Sequence, residues 1–183
     1  MEQDAGMAVL VVLSGPPGIG KSTVGDAVAA LHPAVRLSID DVEEAMRACG
    51  IPADATGIAA YEVVRAAAEQ NLVLGLDVVV DAVNDSDPAR GTWRRAADAT
   101  GARLLQVVLA TDDEGAHRAR LEGRTRPFTR IPEPTWEAAV AMRDGTAPWP
   151  EDVLRLDAAL PPDALARTVL AALPPSTPPG SAA

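Results

Sequence analysis

The chain has 183 residues, of which 48% are hydrophobic and only 3% aromatic, and its formal net charge at pH 7 is −10. This length fits one domain of ordinary size with a core of small and branched aliphatic side chains. The negative charge disfavours a nucleic-acid partner, no apolar run approaches the length of a membrane span, and the single cysteine excludes an internal disulfide. The acidic start, Met1–Gly6, does not resemble a signal peptide, so we expect a cytoplasmic protein; the sequence does not indicate an oligomeric state.

The first two predicted elements enclose the most specific motif of the chain. The apolar run Ala8–Leu13 predicts a buried strand, and Thr23–Leu31 predicts a helix. Between them, Gly15–Ser22 has the sequence GPPGIGKS, which matches the phosphate-binding pattern G-x-x-x-x-G-K-[ST] at every fixed position. A strand, a glycine-rich loop and a helix start in this order direct backbone N–H groups at one spot, which suits the phosphates of a nucleotide.

The motif also assigns roles to individual side chains. Lys21 is expected to contact the β- and γ-phosphates of ATP, and the Ser22 hydroxyl is expected to ligate Mg²⁺. A glycine- and proline-rich turn before a helix could share this composition, but it would not require lysine and serine at these two positions. The predicted ATP-binding residues of the loop are Gly15, Pro17, Gly18, Ile19, Gly20, Lys21, Ser22 and Thr23.

Strands continue to alternate with helices along the rest of the chain. Four further apolar runs predict strands at Val35–Ser38, Val78–Asp81, Leu104–Leu109 and Val153–Leu156. Helices are predicted at Asp40–Cys49, Gly57–Leu74, Asp87–Thr100, Thr111–Leu121, Thr135–Arg143 and Asp163–Leu173. This pattern predicts a three-layer α/β fold, the P-loop NTPase fold, with a five-stranded parallel sheet and helices on both faces. We expect a single domain over residues 1–173 and a disordered Pro/Ser/Gly/Ala tail over residues 174–183.

Carboxylates follow the predicted strands at the edge where open α/β sheets bind ligands. Asp40 could accept the proton of an attacking hydroxyl or cap the helix that follows; we favour the general base for Asp40 and the cap for Asp41. Asp81 is expected to contact Mg²⁺ beside Ser22 rather than to cap a turn. Asp157 follows the fifth strand and is a candidate contact for the nucleotide.

Arginines are concentrated at one helix end and in the loop after it, at Arg118, Arg120, Arg124 and Arg126. Phosphoryl transfer requires positive charge on the equatorial phosphoryl oxygens, so we expect one or two of these arginines to supply it, first Arg124 and then Arg120. The others would complement the helix dipole. Two loops, Gly50–Gly57 and Arg124–Pro134, are candidates for segments that move over a ligand, although Gly50–Gly57 could equally be an ordinary exposed connection.

Three other features carry weaker signals. Asn84 lies in the turn after Asp81, where it would either orient a substrate or shape the turn. His117 lies on a charged helix and is expected to be solvated. The helix predicted from Thr111 starts with a capping-box pattern, because Glu114 follows three residues later.

In combination these segments resemble the small P-loop kinases, which include the kinase domain of polynucleotide kinase, chloramphenicol phosphotransferase and the gluconate-kinase-like enzymes. The resemblance runs from about Val9 to about Leu173. Its markers are GPPGIGKST at Gly15–Thr23, LSIDDVEEAM at Leu37–Met46, VVVDAVN at Val78–Asn84 and RLEGR at Arg120–Arg124. It implies that Asp40 is the general base and that Arg120 and Arg124 act with a short lid segment, Arg124–Pro134, in place of a separate lid domain.

One position departs from the pattern of the polynucleotide kinases. They carry an arginine three residues after the general base, where it holds a substrate phosphate, whereas this chain has Glu43. The segment Ile39–Met46 is more similar to the matching segment of chloramphenicol phosphotransferase. This resemblance favours a neutral or cationic small molecule with a hydroxyl group as the acceptor.

The sequence therefore predicts a Mg²⁺-dependent kinase that transfers the γ-phosphoryl group of ATP to a hydroxyl of a small molecule, with Asp40 as the general base. One alternative is a nucleoside, nucleotide or polynucleotide 5′-hydroxyl kinase, for which the few aromatic residues offer little stacking surface. Another is an ATP-binding regulatory module that is not a kinase. A regulatory module would need a group that positions water for slow hydrolysis of ATP. A kinase needs a general base, here Asp40, directed at the hydroxyl of its acceptor.

Overall fold

A five-stranded, all-parallel sheet forms the centre of the computed structural model, which describes residues 7–150 and 152–173. Its strands are β1 (Val9–Ser14), β2 (Ala34–Ser38), β3 (Asp77–Asp81), β4 (Arg103–Ala110) and β5 (Leu154–Asp157). The spatial order is β2-β3-β1-β4-β5, so the strand that leads into the phosphate loop lies in the middle. The tail over residues 174–183, for which we expected disorder, lies outside the described residues.

Helices cover both faces of the sheet. They are α1 (Lys21–Leu31), α2 (Ile39–Ala48), α3 (Ala53–Val73), α4 (Asp87–Thr100), α5 (Glu114–Gly123), α6 (Trp136–Asp144) and α7 (Pro162–Ala171). Val24 of α1 and Val169 of α7 join the core on one face, and Val64 of α3 and Trp93 of α4 join the core on the other. The predicted three-layer fold is therefore confirmed. In the described part of the chain, no helix is long and apolar enough to cross a membrane.

The sequence of β1 explains its central position. Successive side chains of a strand point to opposite faces, and Val9, Val11 and Leu13 enter the core that contains α1 and α7. Leu10 and Val12 enter the core that contains α3 and α4. All five side chains are at most 3% exposed. A strand with apolar side chains on both faces is stable only where helices cover both of them, so β1 belongs in the interior of the sheet.

The parallel strands end at one edge, and the register of the sheet brings their last residues together there. Ser38 on β2 is paired with Asp81 on β3, and Asp81 is paired with Leu13 on β1. The phosphate loop follows β1 directly, and α2 follows β2 at Ile39. Both segments therefore begin beside Asp81, at the edge where ligands of open α/β sheets bind.

The start of α3 differs from the prediction. The helix begins at Ala53 rather than Gly57, so the predicted loop Gly50–Gly57 is partly helical and the connection from α2 is short. Pro52 precedes the helix in an extended conformation, with φ of −63°. The alanines after it favour a helix, and the acidic residue in the first turn interacts well with the helix dipole. Only residues 50–52 of the predicted loop therefore lie outside a helix.

The capping box predicted at Thr111 was wrong. Strand β4 extends to Ala110, which leaves Thr111 in the turn, and its hydroxyl accepts a hydrogen bond from the N–H of Asp113 at 3.2 Å. Asp113 is the residue that caps α5, because its side chain accepts from the N–H of Ala116 at 2.8 Å. Aspartate is as well suited to this position as threonine, and the length of the strand decides between them.

Candidate active site

A cavity of about 710 Å³ opens at the carboxyl edge of the sheet, between the phosphate loop and residues 124–134, which we call the lid segment. The predicted site residues that line it are Pro17, Gly18, Gly20, Lys21, Ser22, Thr23, Asp40, Asp81, Arg120 and Arg124. The predicted residues Gly15, Ile19 and Asp157 are not among the lining residues. Ile19 lies in the core, and a side-chain oxygen of Asp157 accepts from the N–H of Ala159 at 2.9 Å.

Two glycines let the phosphate loop pass close to its neighbours. Gly15 has φ of +141°, and a Cβ at this position would lie 2.7 Å from the carbonyl oxygen of Leu109. Gly18 has φ of +77°, and a Cβ there would lie 2.7 Å from the Cβ of Leu121 on α5. Any other residue would be strained and would push these elements apart, so the shape of the loop depends on glycine at both positions.

The side chain of Lys21 is turned back onto the phosphate loop. Its Nζ donates to the carbonyl oxygens of Gly15 and Pro16, at 2.8 and 3.1 Å. Burial lowers the pKa of Lys21 from 10.5 to about 8, although the nearby Asp81 and Asp40 favour the charged form. The negative charge of a triphosphate would stabilise this cation further, so the position of Lys21 suits a phosphate ligand.

Ser22 and Asp81 place two oxygen atoms side by side at the cavity. The Ser22 hydroxyl donates to Oδ2 of Asp81 at 2.5 Å, and Oδ1 of Asp81 is buried without a hydrogen-bond partner among the described residues. Mg²⁺ prefers oxygen ligands, so an unpartnered buried carboxylate oxygen beside a serine fits this cation. In the same described ranges, no group of three or more His, Cys, Asp or Glu could hold a metal. Phosphate oxygens and water would therefore complete the coordination.

Asp40 and Asp41 lie in the first turn of α2, whose N-cap is Ser38. Arg126 donates from Nη1 to Oδ2 of Asp40 at 2.6 Å, and half of the Asp40 side chain is exposed. Asp41 faces Arg36, with 3.9 Å between Nη1 and Oδ2. Partial burial raises the pKa of Asp41, and neighbouring carboxylates add to this effect against the pull of Arg36. Neither aspartate is the N-cap residue, and Asp40 is the one that contacts an arginine of the lid segment.

Two arginines of the lid segment share one carboxylate. Arg124 and Arg126 each donate from Nε to Glu133, at 2.8 and 2.7 Å. Arg120 on α5 donates from Nη1 to the carbonyl oxygen of Ala158 at 2.6 Å, whereas its Nε and Nη2 are buried without a partner in the described part of the chain. From the sequence, Arg124 and Arg120 were preferred to Arg126 as the arginines that contact the phosphoryl group. The only signal that favoured it was its position two residues after Arg124.

Glu44 fastens the lid segment to α2, and sequence reasoning gave it no role. Its carboxylate accepts from the backbone N–H groups of Thr129, Arg130 and Ile131, at 2.7, 3.0 and 2.9 Å. It also accepts from the Thr129 hydroxyl at 3.1 Å. Desolvation acts to raise the pKa of Glu44, but the backbone hydrogen bonds outweigh it and hold the pKa below its ordinary value. The carboxylate therefore stays ionised at neutral pH and accepts charge-assisted hydrogen bonds from this part of the lid segment.

Asn84 shapes the turn after β3 rather than lining the cavity. It is fully buried and has a positive φ of 56°, which asparagine tolerates better than most residues. Its Nδ2 donates to the Ser14 hydroxyl at 2.8 Å, and its Oδ1 accepts from the indole N–H of Trp93 at 2.7 Å. Its backbone carbonyl accepts from Nε of Arg90 at 2.9 Å. Of the two roles left open by the sequence, the structural one fits these contacts.

His117 is buried, so the expectation that it is solvated was wrong. Its side chain is only 3% exposed, and Nε2 lies 2.8 Å from the carbonyl oxygen of Pro17 in the phosphate loop. Its ring meets the edge of the Trp136 ring, with centroids 5.2 Å apart. Burial lowers the pKa of His117 and favours the neutral ring, whose Nε2–H can donate to the carbonyl. His117 and Leu121 are four residues apart, so they share the face of α5 that packs on the phosphate loop. The charged residues around them led us to expect an exposed histidine from the sequence.

A glycine-rich loop that ends in Lys21 and Ser22, on the central strand of a five-stranded parallel sheet, defines the class of P-loop nucleotide-binding proteins. The model of the AAA domain family matches residues 10–145 of this chain. The chain therefore belongs to this family. The resemblance to P-loop kinases that the sequence indicated is confirmed.

Individual relatives are kinases. The chain is 29% identical over 136 residues to a guanylate kinase from Leifsonia xyli subsp. xyli, and this alignment covers 74% of the chain but only 52%, about half, of that protein. It is similar to the structure of a gluconokinase from Sinorhizobium meliloti 1021, with 22% identity, a TM-score of 0.62 and coverage of 90% and 91% of the two chains. It is also similar to the Mycobacterium tuberculosis APS kinase CysC in complex with AMPPNP and APS, with 20% identity, a TM-score of 0.65 and coverage of 91% and 97%. At these identities the two structures show the fold.

Proposed function

We propose that this protein is a Mg²⁺-dependent phosphotransferase that moves the γ-phosphoryl group of ATP to a hydroxyl of a small molecule, with Asp40 as the general base. The observation that carries the proposal is the shared cavity. The phosphate loop with Lys21 forms one side of it, and Asp40 lies at the start of α2 on another side. A carboxylate in the same cavity as the phosphate loop can accept the proton of an attacking alcohol.

The residues that line the cavity have different proposed roles in phosphoryl transfer. The backbone N–H groups of the loop bind the phosphates, and Lys21 places its cation on the β- and γ-phosphates. Ser22 and Asp81 would hold Mg²⁺, which would neutralise negative charge on the phosphate oxygens. Arg120 and Arg124 supply further positive charge where it develops in the transition state. Arg120 suits this role because two of its nitrogens lack partners in the described structure.

Asp40 takes the proton of the acceptor as the new bond forms. The hydroxyl oxygen attacks the γ-phosphorus, the bond to the β–γ bridging oxygen breaks, and ADP leaves with that oxygen. Arg126 donates to Oδ2 of Asp40 at 2.6 Å, so an acceptor hydroxyl would either displace this contact or use the other oxygen of the carboxylate. Arg126 can then remain on Glu133 or turn to the phosphates, because it already bonds both carboxylates. Such an exchange would keep the base occupied until an acceptor arrives and would limit wasteful hydrolysis.

The surroundings of Asp40 support a small acceptor without phosphate groups. Glu43, which stands where polynucleotide kinases have an arginine, accepts from Arg47 and from the Thr56 hydroxyl. It therefore stabilises α2 and α3 and offers no positive charge to a nucleic-acid end. Phe128 and Ile131 of the lid segment add apolar surface to the cavity. We propose a neutral or cationic alcohol with an apolar portion as the acceptor.

The test is the rate of ADP formation with and without hydroxylated compounds. Purified protein with Mg²⁺ and ATP is assayed against sugars, amino alcohols, aromatic alcohols, nucleosides, GMP and a DNA oligonucleotide with a free 5′-hydroxyl. We expect at least about tenfold stimulation by one of the small alcohols, with formation of its phosphate ester, because an acceptor replaces the poorly positioned water. Stimulation by GMP or the oligonucleotide alone would favour the nucleotide or polynucleotide alternative. Slow hydrolysis unaffected by every compound would favour a regulatory module.

ATP binding should also be coupled to proton uptake by Lys21. Its pKa is about 8 in the free protein, and phosphate charge would raise it. Above about pH 8 the free lysine loses its proton, so ATP affinity should fall as the pH rises, by at most about tenfold per pH unit. Calorimetry in two buffers of different ionisation enthalpy measures the uptake. Lys21→Arg should bind ATP without this uptake, and equal uptake by wild type and Lys21→Arg would contradict the assignment.

A further inference from the structure

The lid segment is held in place by a carboxylate rather than by secondary structure. Residues 124–134 form neither helix nor strand, so their backbone N–H groups need other acceptors. Three consecutive N–H groups, those of Thr129, Arg130 and Ile131, all find the carboxylate of Glu44. A charged acceptor forms stronger hydrogen bonds than a neutral carbonyl, so this contact attaches the backbone of the segment to α2, beside the ion pair between the Arg126 side chain and Asp40.

Glu44 lies four residues after Asp40 on the same helix, so both carboxylates face the lid segment from neighbouring turns. Asp40 holds Arg126 near one end of the segment, and Glu44 holds its middle. Arg47, on the next turn of α2, adds a weaker bond to the carbonyl oxygen of Arg130 at 3.3 Å. If an acceptor takes Asp40 from Arg126, Glu44 is the residue that still ties the segment to α2.

We propose that Glu44 is a positioning residue for phosphoryl transfer, which holds the lid segment against α2 so that its arginines and its apolar side chains face Asp40. This inference rests on the proposed function. Phe128 and Ile131 line the cavity from the lid segment, and the N–H of Ile131 is itself one of the groups bound by Glu44. Glu44 therefore also sets the position of the apolar wall that an acceptor would meet.

Trypsin cleavage tests the attachment independently of catalysis. Trypsin cuts after arginine unless proline follows, so Arg124–Thr125 and Arg130–Ile131 are its sites in the lid segment, whereas Arg126 precedes a proline. In Glu44→Gln we expect cleavage at Arg130–Ile131 to be about tenfold faster, because cleavage follows the population of the open segment. Glu44→Asp keeps the charge on a shorter side chain and should give an intermediate rate.

The matched control is Glu62→Gln on α3. Glu62 also pairs with arginines, Arg65 and Arg95, but it does not contact the lid segment. Its cleavage rate should equal that of wild type. If Glu44→Gln is cleaved no faster than Glu62→Gln, the attachment that we infer does not exist in solution.

Kinetics separate positioning from a merely stabilising contact. Because Glu44 does not contact the phosphate loop, Glu44→Gln should change the ATP dissociation constant less than about threefold. The turnover of phosphoryl transfer should fall about tenfold, because the arginines and the acceptor wall are displaced. Unchanged turnover in a variant with faster cleavage would overturn the positioning role. Faster cleavage in a protein that lacks transfer activity altogether would instead place the failure in the proposed function.

Discussion

Replacement of Lys21 by alanine should abolish phosphoryl transfer and weaken ATP binding. The cation of Lys21 lies where the β- and γ-phosphates of a bound nucleotide are expected, and loss of one charge-assisted contact costs about 1.5–3 kcal/mol. ATP affinity should therefore fall about 10- to 100-fold, and transfer should fall at least about 10³-fold, because the same charge is needed more in the transition state. ADP formation and binding of a fluorescent ATP analogue measure the two effects.

The stability of this variant should not fall. Burial lowers the pKa of Lys21 to about 8, which means that the folded protein does not favour the charged amine. Removal of Lys21 relieves this cost but also removes its hydrogen bonds to the carbonyl oxygens of Gly15 and Pro16, so the Tm should be close to that of wild type or higher. Lys21→Arg retains the charge on a bulkier group and should bind ATP better than Lys21→Ala. Transfer by Lys21→Ala at near wild-type rates would show that the loop does not act on the phosphates as proposed.

Replacement of Asp40 by asparagine should lower turnover by about 10²-fold or more, while ATP still binds. Asparagine has nearly the same size and still accepts a hydrogen bond from Arg126, but it cannot take the proton of the acceptor. The ion pair between Asp40 and Arg126 is partly exposed, so its loss should cost at most about 1 kcal/mol of stability. Steady-state kinetics with a saturating acceptor would measure the effect on turnover.

Asp41→Asn is the matched control for this experiment. Asp41 is the next carboxylate on α2, lines the same cavity and faces Arg36 rather than the lid segment. Its replacement should change turnover less than about threefold, the size expected for a charge that does not touch the reacting atoms. Equal losses in the two variants, or near-normal turnover in Asp40→Asn, would remove Asp40 from the mechanism.

The fold and the phosphate loop could be predicted because their signals are local. The apolar run of β1 and the eight residues of Gly15–Ser22 each specify their structure within a few positions. The strand-end residues Asp40 and Asp81 were predicted to lie at one edge because parallel strands end together. The register of β2, β3 and β1 places Asp81 there, and Asp40 follows β2 in the first turn of α2.

Contacts between distant segments could not be predicted from one sequence. Glu44 binds backbone groups 85 to 87 positions away, and a glutamate within a helix gives no sign of such a partner in the sequence. His117 carries polar neighbours along α5, yet it lies 100 positions from the carbonyl of Pro17 that it contacts. For both residues the sequence predicts the helix on which they lie. Their hydrogen-bond partners depend on how that helix packs against distant segments, which one sequence does not show.

Calorimetric titration of the purified protein with Mg²⁺ and ATP tests the central claim most directly. The account predicts one ATP per chain, bound with a dissociation constant between about 1 μM and 1 mM, as is usual for enzyme substrates. It also predicts that ATP binds about 10- to 100-fold more weakly to Lys21→Ala under the same conditions. No heat of association in the wild-type protein at millimolar ATP, at more than one temperature, would contradict it.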